Sequence, residues 1–338
     1  MKRINLALQG GGAHGAFTWG VLDRVLEEPD IEIAAISGTS AGALNGAAVK
    51  AGWLENGRAG ARAHLDWLWA QMGAIGDMRL AAWMSGTPVM PGHVADMLEM
   101  SPQFHMADAM TRIVSPYAYG PFYRNPLERV ARAFEFDKVC AAEGPRLFVG
   151  ATNVHTGKIR VFTGDDISTE SLLASACLPT LFQAVEIDGA HYWDGGYTGN
   201  PALFPLFEAG LPADIVIVNI NPLERPEVPR GPQDIQNRIN EISFNSSLLR
   251  ELRAINFVQR LLDAGRVEEG AMKRVFVHMI ADDALMRELS VATKLVPTPL
   301  TLGRLKTAGR QAAERFLEDH GAALNSHGTV DIDATCNG

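Results

Sequence analysis

Three short segments carry residue types that fit together as chemistry. Gly38-Thr39-Ser40-Ala41-Gly42 is a G-x-S-x-G, and it stands directly after an apolar run and directly before a small-residue run of helical character. In that context the serine sits on a sharp strand-to-helix turn that lifts its hydroxyl above the sheet as a nucleophile. Gly38 and Gly42 leave room for such an elbow, and the start of the following helix turns free N–H groups and its positive dipole end toward an incoming oxygen. Gly10-Gly11-Gly12-Ala13-His14-Gly15 also follows an apolar run and opens a helical one. Consecutive glycines let backbone N–H groups converge on one point, as an oxyanion hole at Gly10, Gly11 and Gly12 requires. The same letters satisfy G-x-G-x-x-G, a dinucleotide fingerprint, so a non-catalytic nucleotide-binding protein is the competing reading. A nucleotide site wants an acidic residue about twenty positions on to hold the ribose. Ser37 to Ser40 occupy that place instead. The third segment, Asp194-Gly195-Gly196, follows an extended stretch and precedes Asn200-Pro201; by itself it reads as a turn.

These segments need a scaffold, and the hydrophobic pattern supplies one. Residues 4–9 and 31–36 are short apolar runs expected to form buried strands, each followed by a helical pattern, at 16–27 and at 41–50. Further strands are expected at 146–152, 159–163, 185–187, 214–221 and 274–280, with the extended stretch from 185 running on to 193. A long helix is expected over 234–262, where Ile235, Ile239, Ile242, Leu249, Leu252, Ile255 and Leu262 recur at helical spacing. Such alternation predicts an α/β fold, a mainly parallel central sheet with helices on both faces. The expected organisation is a single domain over residues 1–320, interrupted by a mostly helical insertion at about 58–142. Eight of the twelve methionines fall between Met72 and Met110. Soft, Met-rich surfaces fill gaps in cores, and they also accept varied apolar partners, so this segment reads either as ordinary packing or as a wall or lid over an acyl chain. Residues 321–338 lose periodicity and are expected to form a flexible tail.

Composition narrows the partners. A formal net charge of -9 without a Lys/Arg run gives a field that repels nucleic acid and does not attract anionic lipid, so any membrane contact has to be apolar. Three scattered cysteines, Cys140, Cys177 and Cys336, are too few for a disulfide framework or a tetrahedral zinc site. They point to a reducing compartment, the cytoplasm. The apolar stretch after Lys2 and Arg3 stops at Gln9, too short for a signal-peptide core. No apolar run of about eighteen residues spans a bilayer, so the chain is expected to be soluble or at most peripheral. No metal ligand spacing occurs: neither Asp165-Asp166 nor Asp282-Asp283 has the spacing of a calcium loop. No cofactor is expected.

Taken together, GGGAHGAF near the start, GTSAGA some 25 residues on and DGG far downstream resemble the patatin-like phospholipase family. The resemblance runs from about Ile4 to Asn200-Pro201, includes Ser175, Ala176 and Pro179, and loosens after about Asn221. It implies a three-layer α/β/α sandwich and a lipid acyl hydrolase with a Ser-Asp dyad and no catalytic histidine. By motif Ser40 would be the nucleophile, Asp194 the general base, Gly10 to Gly12 the oxyanion hole, and Gly195 and Gly196 the turn after the base. The implied partner is a lipid or acyl-ester substrate, met directly or at a lipid surface. One position departs: the family often has Arg or Lys where this chain has His14, and a neutral histidine would not hold an anionic head group as a cation does. A directly bonded, partly desolvated carboxylate can take a serine's proton, so the dyad is chemically sufficient. The order Ser, Asp, His also permits a triad, with His278, His320 and His327 downstream and only His278 at the end of an expected strand. An acyltransferase or a hydroxyacid-polyester depolymerase would use the same dyad, and the sequence does not separate these from a phospholipase.

Overall fold

The computed structural model describes residues 1–84, 115–268, 270–289, 293–294 and 296–337. Its apolar runs become strands β1 (Lys2–Leu8), β2 (Ile31–Thr39), β3 (Arg146–Asn153), β4 (Ile159–Thr163), β5 (Val185–Ile187), β6 (Ala190–Asp194), β7 (Asp214–Asn219) and β8 (Phe276–Ala281). They join in one sheet of order β5-β6-β3-β2-β1-β7-β8, with β4 paired to β3. The run from β3 through β2, β1 and β7 to β8 is parallel, while β4, β5 and β6 attach antiparallel.

The helices that matter for the site are α1 (Gly15–Val25), α2 (Ala41–Met84), α3 (Thr169–Ser175), α4 (Pro232–Asp263), α5 (Pro299–His320) and α6 (Ile332–Asn337). Alternation along the strands decides which face each helix covers. Leu6 and Leu8 of β1 and Val216 and Val218 of β7 pack with Phe17 and Val21 of α1, Leu65 of α2, Leu172 of α3 and Leu305 of α5. Ala7, Ile215 and Ile217 face the other way, onto Leu248 and Leu252 of α4 and Ile332 of α6. A strand buried on both faces has to be apolar along its middle, as β7 is over residues 215–218 between Asp214 and Asn219. The expected α/β/α layering is therefore the observed one.

Four features differ from the sequence-based expectations. The strand expected at 185–187 is present as β5, but the extended stretch over 185–193 is a hairpin: Asp188 and Gly189 have φ of 52° and 75°, and β5 pairs back on β6. An Asp-Gly pair between short apolar runs is a hairpin signal that the pattern alone passed over. Helix α2 crosses the expected insertion boundary at residue 58 and continues to Met84, with a kink at Asn56 and Gly57. Met72 packs half-buried on the main core; the rest of the methionine-rich segment, and with it the expected wall or lid, falls on side chains outside the described residues. The helical repeat expected over 234–262 is only partly a core stripe. Ile235, Ile239 and Ile242 are exposed, while Glu241, Phe244 and Asn245 are buried there and Leu248, Leu252 and Ile255 further on.

The last segment is not a loose tail. Residues 321–323 form a 3-10 turn and α6 buries Ile332 and Cys336 against the second core. Buried Asp214 at the start of β7 accepts hydrogen bonds from the Asn325 N–H and side-chain amide, and the N–H groups of Thr329 and Val330 donate to Val277 of β8. Short polar residues hid a segment held by backbone bonds and by apolar anchors that include Leu324, Ile332 and Cys336. Among the described residues no helix is long and apolar enough to cross a membrane.

Candidate active site

The register of β3 brings the two expected catalytic residues together. Gly150 pairs with Thr39, the last residue of β2, and the next residue, Ala151, pairs with Asp194, the last residue of β6. Ala151 also pairs with Arg160 of β4, and Gly150 with Val161, so β2 and β6 share the edge of β3 opposite β4. They run toward each other and meet end to end. Ser40 leaves the sheet at the point where Asp194 arrives.

Ser40 has φ of 54° and is 8% exposed. A left-handed conformation is costly for a residue with a side chain, of order 1–3 kcal/mol, and persists where the surroundings dictate it. Here the Ser40 N–H donates to Ser175 Oγ at 2.9 Å, and that hydroxyl donates to Gly150 O at 2.7 Å. Thr39 Oγ1 donates to Gly199 O at 2.7 Å, tying the elbow to the loop after Asp194. The turn is tight enough that a side chain at Gly42 would collide with the Leu8 carbonyl of β1, and one at Gly38 would meet the Gly42 backbone.

Asp194 is 1% exposed. Its Oδ1 accepts the Gly196 N–H at 2.8 Å, and its backbone is held by the Cys177 carbonyl and the Thr152 hydroxyl. Burial pushes its pKa up to about 7, against the opposing pull of hydrogen bonds from the Gly196 N–H and the Ser40 hydroxyl. The charge it bears when ionised also helps hold the neighbouring Cys177 thiol at about 12, after burial itself.

The glycine turn lies directly against the nucleophile, since a Cβ on Gly10 would come within 2.7 Å of Ser40 Cβ and 2.8 Å of Thr39 O. The three glycines are not equivalent. The Gly10 N–H is occupied by Asn200 Oδ1 at 2.7 Å, so it is no free oxyanion donor. Gly11 and Gly12 cap and open the 3-10 turn before α1, and their N–H groups have no acceptor among the described residues.

His14 is fully buried, with Nε2 paired to Thr293 Oγ1 at 2.8 Å. Burial first, then the nearby Lys294 and Arg225, hold its pKa well below the usual histidine range, so it is neutral near pH 7 and supplies no cation. His278 does not join the site. It sits in β8, three strands from β2, with Nε2 on Asp214 at 3.0 Å and Nδ1 on Thr329 at 3.0 Å. Strands about 4.8 Å apart put it beyond the reach of Ser40, and both its ring nitrogens are occupied. His320 and His327 are exposed at the C-terminal end.

Sequence spacing passed over the residues behind the turn. Gln9, Asn200, Asn221, Asn245 and Ser247 are all buried and hydrogen-bonded to one another or to the turn. Asn200 stood out in the sequence only as part of Asn200-Pro201; Gln9 directly precedes the turn, while Asn221, Asn245 and Ser247 come from far along the chain. Elsewhere the fold gathers Glu55, His64 and Glu135, whose ligand atoms lie within 4.8 Å of one another, from positions with no ligand spacing. There the Lys138 ammonium already bridges Glu55 at 3.5 Å and Glu135 at 2.9 Å.

Among solved structures the chain is similar to VipD from Legionella pneumophila, at 15% identity and a TM-score of 0.41, covering 95% of this chain and 67% of that one. It is also similar to the heterodimeric ExoU-SpcU complex of the Pseudomonas aeruginosa type III secretion system, at 17% identity and a TM-score of 0.31, covering 95% of this chain and 61% of that one. No curated protein sequence matches. The family model described as patatin-like phospholipase matches residues 6–207, a span that holds the glycine turn, the serine elbow and the Asp194 turn. With that match over more than half its length, the chain belongs to the patatin-like phospholipase family.

Proposed function

We propose that the protein hydrolyses acyl esters of lipids through an acyl-enzyme on Ser40, with Asp194 as the general base and the N–H groups of Gly11 and Gly12 as the oxyanion donors. The observation that carries this reading is the end-to-end meeting of β2 and β6, which sets a strained, buried serine beside a buried carboxyl held near pKa 7. Ionised Asp194 takes the Ser40 proton as Oγ bonds to the ester carbonyl carbon, and the carbonyl oxygen becomes an oxyanion facing the glycine turn. Collapse breaks the bond to the alcohol, which leaves with the proton that Asp194 held. Water then loses a proton to Asp194 while attacking the acyl-enzyme, and the carboxylic acid departs as the proton returns to Ser40. A base with pKa near 7 is half-ionised at neutral pH and strong enough to be useful there. His278 is a poor third member for a triad, since both its ring nitrogens are already engaged. Neutral His14 offers an anionic head group no charge, so ester chemistry rather than head-group charge governs binding at that position. The three thiols are unpaired, which suits work in a reducing compartment such as the cytoplasm.

A fluorophosphonate probe tests the assignment, because only an activated serine reacts with it. Labelling is expected in the native chain and absent in Ser40→Ala. Equal labelling of both proteins would remove Ser40 from the mechanism.

A further inference from the structure

We propose that Asn200 is the positioning residue of the oxyanion turn, gripping the Gly10 backbone so that the Gly11 N–H is aimed at the developing oxyanion; the inference rests on the Ser40–Asp194 reading above. The Asn200 side chain is fully buried and holds both polar groups of Gly10: Oδ1 accepts its N–H at 2.7 Å and Nδ2 donates to its carbonyl at 3.3 Å. Asn221 Nδ2 donates to the same carbonyl at 2.8 Å. The Gly10 carbonyl and the Gly11 N–H belong to one planar trans peptide, in which they point in opposite directions. Fixing the carbonyl toward the two asparagines therefore fixes the Gly11 N–H away from them, on the open side of the turn.

The grip is itself braced. Gln9 Nε2 donates to Asn200 O at 3.3 Å and to Asn245 Oδ1 at 3.2 Å, while Gln9 Oε1 accepts from the Ile220 and Asn221 N–H groups at 2.9 and 3.0 Å. The Asn200 N–H donates to Ser247 Oγ of α4 at 3.1 Å. Buried amides stabilise a fold no better than apolar packing unless each partner is supplied, and here they are supplied around a single peptide. A Gly-Gly-Gly segment has little conformational preference of its own, so its geometry has to be imposed from outside. Thr39 and Asp194 flank the same loop, because Gly199 O accepts the Thr39 hydroxyl. One loop thus sets nucleophile, base and oxyanion turn in common register.

The test compares Asn200→Ala with the native enzyme on a p-nitrophenyl ester and on its thionoester, whose carbonyl sulfur is a poorer acceptor for the N–H donors. Loss of one oxyanion donor lowers kcat by about 100- to 1,000-fold. Misaiming it is expected to lower kcat by about 10- to 100-fold, to leave KM within about three-fold, and to shrink the preference for the oxygen ester by about ten-fold. A purely structural role would lower activity and fluorophosphonate labelling in the same proportion, leaving kcat per labelled site and the oxygen-to-sulfur preference unchanged; that result overturns the inference. If Asn200→Ala does not fold, Asn221→Ala is measured. It leaves the Asn200 bonds in place and is expected to shift the preference in the same direction by about three-fold, while an unchanged preference overturns the inference. Failure here is distinguishable from failure of the underlying reading: an active Ser40→Ala removes the nucleophile, whereas an inactive Ser40→Ala beside an unaltered Asn200→Ala removes only the positioning role.

Discussion

A carboxyl that takes a proton from serine has to be ionised, yet burial at Asp194 favours the neutral acid and raises its pKa to about 7. Folding therefore gains a preference for the protonated form. The unfolded carboxyl has a pKa of about 3.9, so between about pH 4 and pH 7 the native state binds more protons than the unfolded chain and stability falls as pH rises. Asp194→Asn has no charge to bury. Its thermal midpoint is expected to exceed that of the native protein by a margin that widens from pH 5 to pH 8, and a margin constant with pH would contradict the raised pKa. The rate follows the opposite sense: kcat/KM is expected to rise with pH along a limb centred near 7, as Asp194 ionises. At Ser40 the side chain is small, so Ser40→Ala is expected to abolish turnover while moving the thermal midpoint by no more than a few degrees. Ser40 and the Asp194 turn were legible in the sequence because small residues on both sides of a serine, and two glycines after an aspartate, permit tight turns that bulkier residues exclude. The distinct duty of Gly10 was not legible, since its partner Asn200 comes from 190 residues away.

At the scale of elements, the site exists because two strands end at the same place. Nothing local to β2 or β6 specifies that meeting; it is set by their shared partner β3, whose Gly150 and Ala151 receive them in succession. The strands themselves were readable from short apolar runs, whereas the reversal at Asp188-Gly189 was hidden within a stretch that looked continuously extended to Trp193. The packing of Gly42 against the Leu8 carbonyl joins the elbow to β1. Gly42→Ala is accordingly expected to cost about 1–3 kcal/mol, the usual range for overpacking, read as a lowered denaturation midpoint. A still greater loss of activity is expected, because the displacement falls on the strand end that precedes the glycine turn.

Over the whole molecule, two cores of different make-up lie on the two faces of the sheet, and the second depends on the C-terminal segment. Ile332 and Cys336 are 6% and 7% exposed, and removing them uncovers apolar surface on α4 and β8. Fully burying an apolar side chain is worth about 1.5–3 kcal/mol, so a chain ending at residue 328 is expected to unfold at a clearly lower urea concentration with Ser40 chemistry otherwise intact. An unchanged midpoint would return the segment to the loose tail that its polar composition predicts. The layering was legible from hydrophobic alternation, but α6 was not, because its contribution rests on two side chains among small polar neighbours. The proposed chemistry turns on Asp194, and not a histidine, serving Ser40. The most direct measurement is ester turnover at pH 8 by Asp194→Asn and His278→Ala, each with its fold verified. Asp194→Asn is expected to lose about three orders of magnitude or more and His278→Ala to stay within a few-fold of native; a folded but inactive His278→Ala, or an Asp194→Asn with more than about a tenth of native turnover, would rule out Asp194 as the base.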